Sequence, residues 1–305
     1  MQHNLSQRRA GLTKIIKQEW DSTWPNAIKD LADACKQNQT VCENNLEIML
    51  MLSEEIFEDT KQNMTKVQLE RLKLKYNENL KIIYDLCDYI AKAYLQDSSK
   101  IAPSLIKMCL RTFYAFLTWV PTSFVFMTDF LDVILVGLVS DIKYTVQCMQ
   151  CFTESYSIAL KGFSQDELNQ IHKKLFESLT LFMGKLHNLL PVSRDFRAER
   201  LEKLRNHAQL TIFDNITREV SLFLIAVFKH HFSWMFDTAL ELYRNNDRQY
   251  LDVCSLLESC LRYMVNMSSV DNDTLYKISI DFWQIFTGKK VQIESRPSLC
   301  SHAQS

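Results

Sequence analysis

From Leu69 to Tyr94 the apolar residues fall three or four apart, at Leu69, Leu72, Tyr76, Leu80, Ile83, Cys87, Ile90 and Tyr94. Such spacing returns each side chain to one face of an α-helix, whereas a strand would throw them to both sides. The opposite face carries Lys66, Glu70, Lys73, Asn77, Lys81, Asp85 and Asp88. The segment therefore reads as one long helix, buried along one side and wet along the other. It cannot cover its own stripe, so it requires neighbours built the same way.

The period recurs along the chain and predicts helices near 6–20, 24–37, 40–58, 64–95, 101–119, 123–139, 142–160, 165–189, 197–208, 213–232, 234–245, 248–267 and 272–287. Composition closes off the alternatives. Only five glycines and five prolines occur in 305 residues, against a usual glycine share of roughly 7%. Strand-rich folds punctuate themselves with both, so the fold class is all-α. Thr40, Ser164 and Asp271 precede helices as N-caps, and Thr40 with Glu43 matches a capping box. The helices pair with a period of about 40 residues, the range of helical-hairpin solenoids in which each pair completes its core against the next. No linker rich in Gly, Pro or Ser divides the chain. Residues 1–288 read as one solenoid segment, and 289–305, "KKVQIESRPSLCSHAQS", as a disordered tail where the period is lost.

Charge and cysteine usage narrow the function classes. With 35 basic and 36 acidic residues the net charge is -1, which offers no broad positive surface for DNA or RNA. Thr112 to Thr128, "TFYAFLTWVPTSFVFMT", carries no charge, but Pro121 interrupts it and Arg111, Asp129 and Asp132 bracket it. A membrane span needs about 20 apolar residues, so two buried helices meeting at a proline corner are expected instead, without membrane insertion. The nine cysteines sit at apolar helical positions, which fits a reducing compartment. The N-terminus, "MQHNLSQRRAGLTKII", has no apolar signal-peptide core, so the sequons at Asn38 and Asn215 read as chance.

No glycine-rich phosphate loop, nucleophile elbow or paired zinc-ligand helix motif occurs. "CMQC" at Cys148 and Cys151 has redox or metal spacing, but no second pair completes a site, so both are core positions. His230 and His231 end an apolar run, where imidazolium would favour the negative end of a helix dipole. Arg194, Arg197 and Arg200 are interleaved with Asp195, Glu199 and Glu202, which makes a self-paired, solvated helix. The chain is not expected to be an enzyme or to hold a cofactor or metal. Its 18 phenylalanines and 11 methionines read as core, with shallow grooves between stacked helices open to partner side chains.

"KQEWDSTWPNAIKDL" places Trp20 and Trp24 four apart with Pro25 directly after. Trp20 should close one helix and fill the wedge at the corner, and Pro25 should open the next where its missing amide costs nothing. This corner resembles that of the importin-β-like transport receptors. "QTVCENNLEIMLMLSEEIFED" follows, with Cys42, Asn44, Asn45, Glu54 and Glu55, and is similar to the corresponding run of the exportin-one family, receptors for leucine-rich nuclear export signals. The resemblance continues in order through "FLTWVP" with Trp119 and Pro121, "KLHNLLP", "SLFLIAVFKHH", and "YMVNMSSVDNDTLYKISIDFW" ending at Trp283. It spans residues 12–287, weakens across 192–215, and fails at 194–205, so no surface role is carried over to that charged segment.

What the resemblance implies is a HEAT-repeat α-solenoid, a right-handed superhelical stack of antiparallel helix pairs. Segments 24–37, 64–95, 123–139, 165–189 and 248–267 would be the second helices of their pairs, forming a concave face around Ran in its GTP state. Lys66, Glu70, Lys73, Asn77 and Lys81 are then the expected partner-facing residues. Phenylalanine-rich nucleoporins would dock in convex apolar slots, and the protein would shuttle between nucleus and cytoplasm. Relative to that family the chain begins inside an early repeat and ends before the export-signal groove, so cargo binding is expected only in a full-length context. A HEAT-repeat scaffold that assembles other proteins without transport remains the alternative.

Overall fold

The computed structural model describes residues 2–20, 22–57, 65–118 and 122–294. It is all-α, without a strand among the described residues, and its helices are grouped into two compact units, 1–130 and 131–305.

The first unit holds α1 (Gln2–Glu19), α2 (Ala27–Ala34), α3 (Gln39–Phe57), α4 (Lys66–Gln96), α5 (Pro103–Leu117) and α6 (Thr122–Phe126). Helices α1, α3 and α5 pack in sequence as one layer, and α2 packs on α4 as the second. This is the two-layer arrangement of HEAT-like pairs. The 31 residues of α4 contain neither Gly nor Pro, and a Thr65–Gln68 capping box starts the helix. Every residue of the predicted stripe from Leu72 to Tyr94 is buried. Helix α5 begins with Pro103 in its first turn, where the absent N–H is no loss.

Polar clips fix the pairs to one another. Arg9 on α1 donates from Nε to Asn44 Oδ1 on α3 at 3.1 Å and pairs with Glu47, whose carboxylate also lies 4.0 Å from Arg111 on α5. Asn45 donates to the Leu31 carbonyl of α2 at 2.9 Å. Gln39 donates to the Lys100 carbonyl and accepts from the Ala102 amide, both at 2.6 Å, which ties the start of α3 to the turn between α4 and α5. Lys17 pairs with Glu55 at 3.2 Å. Glu54, beside it, is exposed.

At the corner between α1 and α2, Trp20 is fully buried, edge-on to Tyr76 at 5.9 Å, with the Lys75 ammonium 5.7 Å from its ring. Trp24 is half-buried and donates from Nε1 to Asp30 at 2.7 Å. Pro25 does not open α2. It lies in the turn before Asn26, the N-cap residue, because the Trp24 carbonyl takes the Ala27 amide and closes a turn ahead of the helix. Two predicted caps also shift by a residue or two. Asn38, not Thr40, caps α3 by accepting the Val41 amide at 2.9 Å. Asn272, not Asp271, caps the last helix by accepting the Thr274 and Leu275 amides. Trp119 and Pro121 lie outside the described residues.

A π-helical turn, Phe130–Leu135, replaces the middle of the helix expected over 123–139, leaving only short α-helical pieces on either side. Phe130, Leu131, Ile134 and Leu135 are all buried.

The second unit continues with α7 (Val136–Val139), α8 (Thr145–Ser157), α9 (Gln165–Leu189), α10 (Phe196–Lys203), α11 (His207–His230), α12 (Phe232–Arg244), α13 (Tyr250–Ser268) and α14 (Asp273–Glu294). Helix α11 packs between α8 and α14, while α9 packs on α7 and α13. Gly162, at φ +84, makes the left-handed turn before the Ser164–Glu167 capping box of α9. The expected break near 209–212 falls earlier because Asn206 caps α11 and stops α10 at Lys203. Helix α14 runs to Glu294, so 289–294 of the expected tail are helical; Ile293 is buried, which extends the apolar face past Gly288. The remainder, 295–305, lies outside the described residues.

Phe152, Phe182 and Phe223 form the aromatic centre of this unit, with ring centroids 4.7–5.8 Å apart. Tyr156 donates to the Leu175 carbonyl at 2.6 Å. His231, between α11 and α12, is buried and bonds through Nε2 to the Tyr156 carbonyl at 2.8 Å. Burial lowers its pKa to about 4 despite that bond. His230 is also held below the ordinary range, by partial burial and then by Lys229 and Lys289. The charged helix cap expected of the pair is therefore replaced by neutral imidazoles at pH 7.

Candidate partner-facing surface

The outer face of α4 carries the expected residues. Lys66, Glu70, Asn77 and Lys81 are exposed and Lys73 is half-buried. Lys73 and Glu70 pair at 3.2 Å, and Lys81 and Asp85 at 2.6 Å, so the stripe is charged in both signs and partly neutralised along its own helix. Continued at helical spacing, the stripe reaches Asp85 and then Tyr89, which is 72% exposed.

There it enters a groove of about 690 Å³. Its apolar wall comes from Ile82, Leu86 and Ile90 on α4 with Ile101 and Leu105 at the start of α5; Asp33, Lys36 and Asp85 form a polar rim. Cys35 at the end of α2 and Cys42 in the first turn of α3 border it. The charges on the rim are mixed: Lys36 holds Asp33 below the usual carboxylate range at 2.7 Å. The groove has the size of a pocket for one or two side chains and the lining of a protein-binding surface. Sequence reasoning found the polar stripe and missed the groove. An aromatic Tyr89 on the wet face of α4 was the available signal.

A second groove of about 330 Å³ lies in the second unit, between the end of α9, α10 and α11, lined by Ile142, Leu189, Ile212 and Phe213 with Glu199 and Lys203 beside it. In the 194–205 segment next to it, Glu199 takes Lys203 at 2.7 Å and Arg194 at 3.7 Å. Arg200 reaches further, holding Asp214 through two bonds at 2.8 and 3.0 Å and the Asp271 carbonyl at 2.6 Å.

Several of the other expected residues make contacts within the fold. Asn44, Asn45 and Glu55 are the clips described above, Cys42 is buried, and Trp283 is half-buried with its Nε1 donating to Ser268 at 3.0 Å. Cys148 and Cys151 are fully buried in α8, and burial raises both thiol pKa values. Among the described residues no group of three or more His, Cys, Asp or Glu side chains is arranged to hold a metal, and no helix is long and apolar enough to cross a membrane.

Stacked helix pairs with mixed-charge outer faces and apolar grooves beside them define a helical-repeat architecture. The chain is similar to the exportin 1-like family. Residues 3–152 match the family described as "Exportin 1-like protein". Over 272 residues the chain is 29% identical to Exportin-1 of Schizosaccharomyces pombe and to Protein EXPORTIN 1A of Arabidopsis thaliana, in each case covering 89% of this chain and 22% of the relative. It is 26% identical over 288 residues to Exportin-1 of Dictyostelium discoideum, covering 90% of this chain and 24% of that protein. The chain thus spans less than a quarter of the length of these relatives.

Proposed function

We propose that the chain forms one segment of a nuclear export receptor, a binding protein without covalent chemistry that contributes to the arch around Ran-GTP. The observation that carries this reading is the likeness to proteins named Exportin-1 along 89% of the chain. It is supported by the structural use of the resembling residues, since Asn44, Asn45 and Glu55 clip successive helix pairs together. On this reading Lys66, Glu70, Lys73, Asn77 and Lys81 face a partner, and salt-sensitive attraction from their mixed charges sets its orientation more than its affinity. Export cargo binds only when the remaining repeats are present, phenylalanine-rich nucleoporins occupy apolar slots such as that beside Ile212 and Phe213, and the protein shuttles between nucleus and cytoplasm.

The test is a chimera in which this chain replaces the aligned segment of Schizosaccharomyces pombe Exportin-1, used to pull down Ran loaded with GTP or GDP. Retention of Ran-GTP over Ran-GDP is expected. Equal capture of both forms by a folded chimera would refute the transport reading and leave a scaffold as the better account.

A further inference from the structure

The first unit gathers four cysteines from successive elements: Cys35 at the C-cap of α2, Cys42 in the first turn of α3, Cys87 on α4 and Cys109 on α5. They form two pairs. Cys35 Sγ donates to the Leu31 carbonyl at 3.2 Å and lies 4.0 Å from the Cys42 carbonyl oxygen, which sets the first pair side by side, while Cys87 and Cys109 neighbour each other deeper in the core. Only the first pair borders the groove of about 690 Å³. Cys35 keeps 8% of its surface accessible and Cys42 3%, against 1% for each of the deeper two.

We propose that Cys35 and Cys42 are a redox modification site, in which a small hydroperoxide entering the groove oxidises Cys35 and Cys42 converts the product to an intramolecular disulfide. Access assigns the two roles, because Cys35 is the more exposed of the pair. Its Cys42 neighbour, and then Asn45, also hold the Cys35 thiol below its ordinary pKa against the opposing effect of burial. Cys42 is pushed upward by its Cys35 neighbour and by burial, which makes it the less reactive of the two toward peroxide. Thiolate character marks the attacking cysteine.

In the first step the Cys35 thiolate sulfur attacks one peroxide oxygen and the O–O bond breaks. The departing oxygen takes the proton that Cys35 gave up and leaves as an alcohol or water, so the peroxide gains two electrons and Cys35 becomes a sulfenic acid. In the second, the Cys42 sulfur attacks the Cys35 sulfur, the S–O bond breaks, and hydroxide leaves with the Cys42 proton as water. Two thiols and one hydroperoxide thus yield one disulfide, one alcohol or water from the peroxide, and one further water. The bond spans only the short turn between α2 and α3, where Cys35 Sγ already lies 4.0 Å from the Cys42 carbonyl oxygen. A small thiol reductant reverses it by exchange.

The test treats the intact protein with hydrogen peroxide and maps its peptides without reduction. The Cys35 and Cys42 peptides should appear joined, lighter by two hydrogens, and should separate on addition of a thiol reductant. Cys42→Ser should lose the link and leave a sulfenic acid on Cys35, captured by a dione probe; Cys35→Ser should leave Cys42 a thiol. Exposed Cys254 is the internal control for reagent activity. Oxidation of Cys254 in the wild-type protein while Cys35 and Cys42 both remain thiols overturns the proposal, and needs no variant to fold. Sulfenic acid on Cys42 in the Cys35→Ser protein overturns the assignment of roles.

Discussion

Trp20 gives the most discriminating test of what holds the first helix pair together. The side chain is fully buried, and its indole N–H has no hydrogen-bond partner among the described residues. Trp20→Ala removes the ring from a packed corner, which costs about 3–5 kcal/mol in protein cores. The edge contact with Tyr76 and the Lys75 ammonium over the ring add roughly 0.5–1.5 and 0.5–1 kcal/mol, overlapping with the packing loss. A net loss of about 4 kcal/mol is expected. Trp20→Phe keeps a ring and sacrifices roughly 1–2 kcal/mol of apolar burial. It also deletes the buried donor, whose desolvation costs about 1–3 kcal/mol, so the two effects nearly cancel. Stacked pairs open locally, so the assay is amide hydrogen exchange of α1 and α2. Trp20→Ala should speed exchange there about a thousandfold and Trp20→Phe less than about tenfold. Equal losses in the two variants would refute the reasoning, because the corner would then depend on the indole N–H and not on ring packing.

Three further outcomes follow from the same structure. His231 has its folded pKa lowered to about 4 from 6.5 by burial, so the unfolded chain binds the proton more readily; the stabilisation is complete above about pH 6.5 and is lost as pH falls toward 4, by about 3 kcal/mol in all. His231→Gln should flatten that part of the pH profile measured by urea denaturation, and an unchanged profile would place the acid sensitivity elsewhere. Asn45→Ala removes one of the donors to the Leu31 carbonyl, which keeps the Cys35 amide and thiol, and should cost about 0.5–1.5 kcal/mol in the local opening of α2, read by hydrogen exchange; unaltered exchange at α2 would mean that the clip contributes nothing. A labelled leucine-rich export peptide should show no saturable fluorescence anisotropy change with the isolated 305-residue chain. Tight binding would put an export-signal groove within this segment.

Much of the layering was readable because helical period survives wherever one face is wet. The α4 stripe is the clearest example: its buried residues from Leu72 to Tyr94 are those that the spacing names. The π turn at Phe130–Leu135 was not readable, since Phe130, Leu131, Ile134 and Leu135 are all buried around the single charged residue Asp132, too little polar character to phase the helix. Caps shifted because Asn38 competes with Thr40, and Asn272 with Asp271, within two residues; the choice depends on which side chain meets an orphan amide. For the candidate surface, the charged stripe on α4 followed from periodicity, whereas the groove at its end joins Asp33, Tyr89 and Ile101 and exists only once α2, α4 and α5 have packed.

Many of the links between elements run from a side chain to main-chain oxygen: Asn45 to Leu31, Gln39 to Lys100, Tyr76 to Met49, Tyr156 to Leu175, Tyr263 to Leu190 and Asn266 to Val192. A carbonyl is present whatever residue carries it. Each such link therefore constrains one position where a salt bridge would constrain two, and the accepting residue is free to drift without a compensating change in its donor. Neutral drift can change the accepting residue at each of these joints while the joint itself persists.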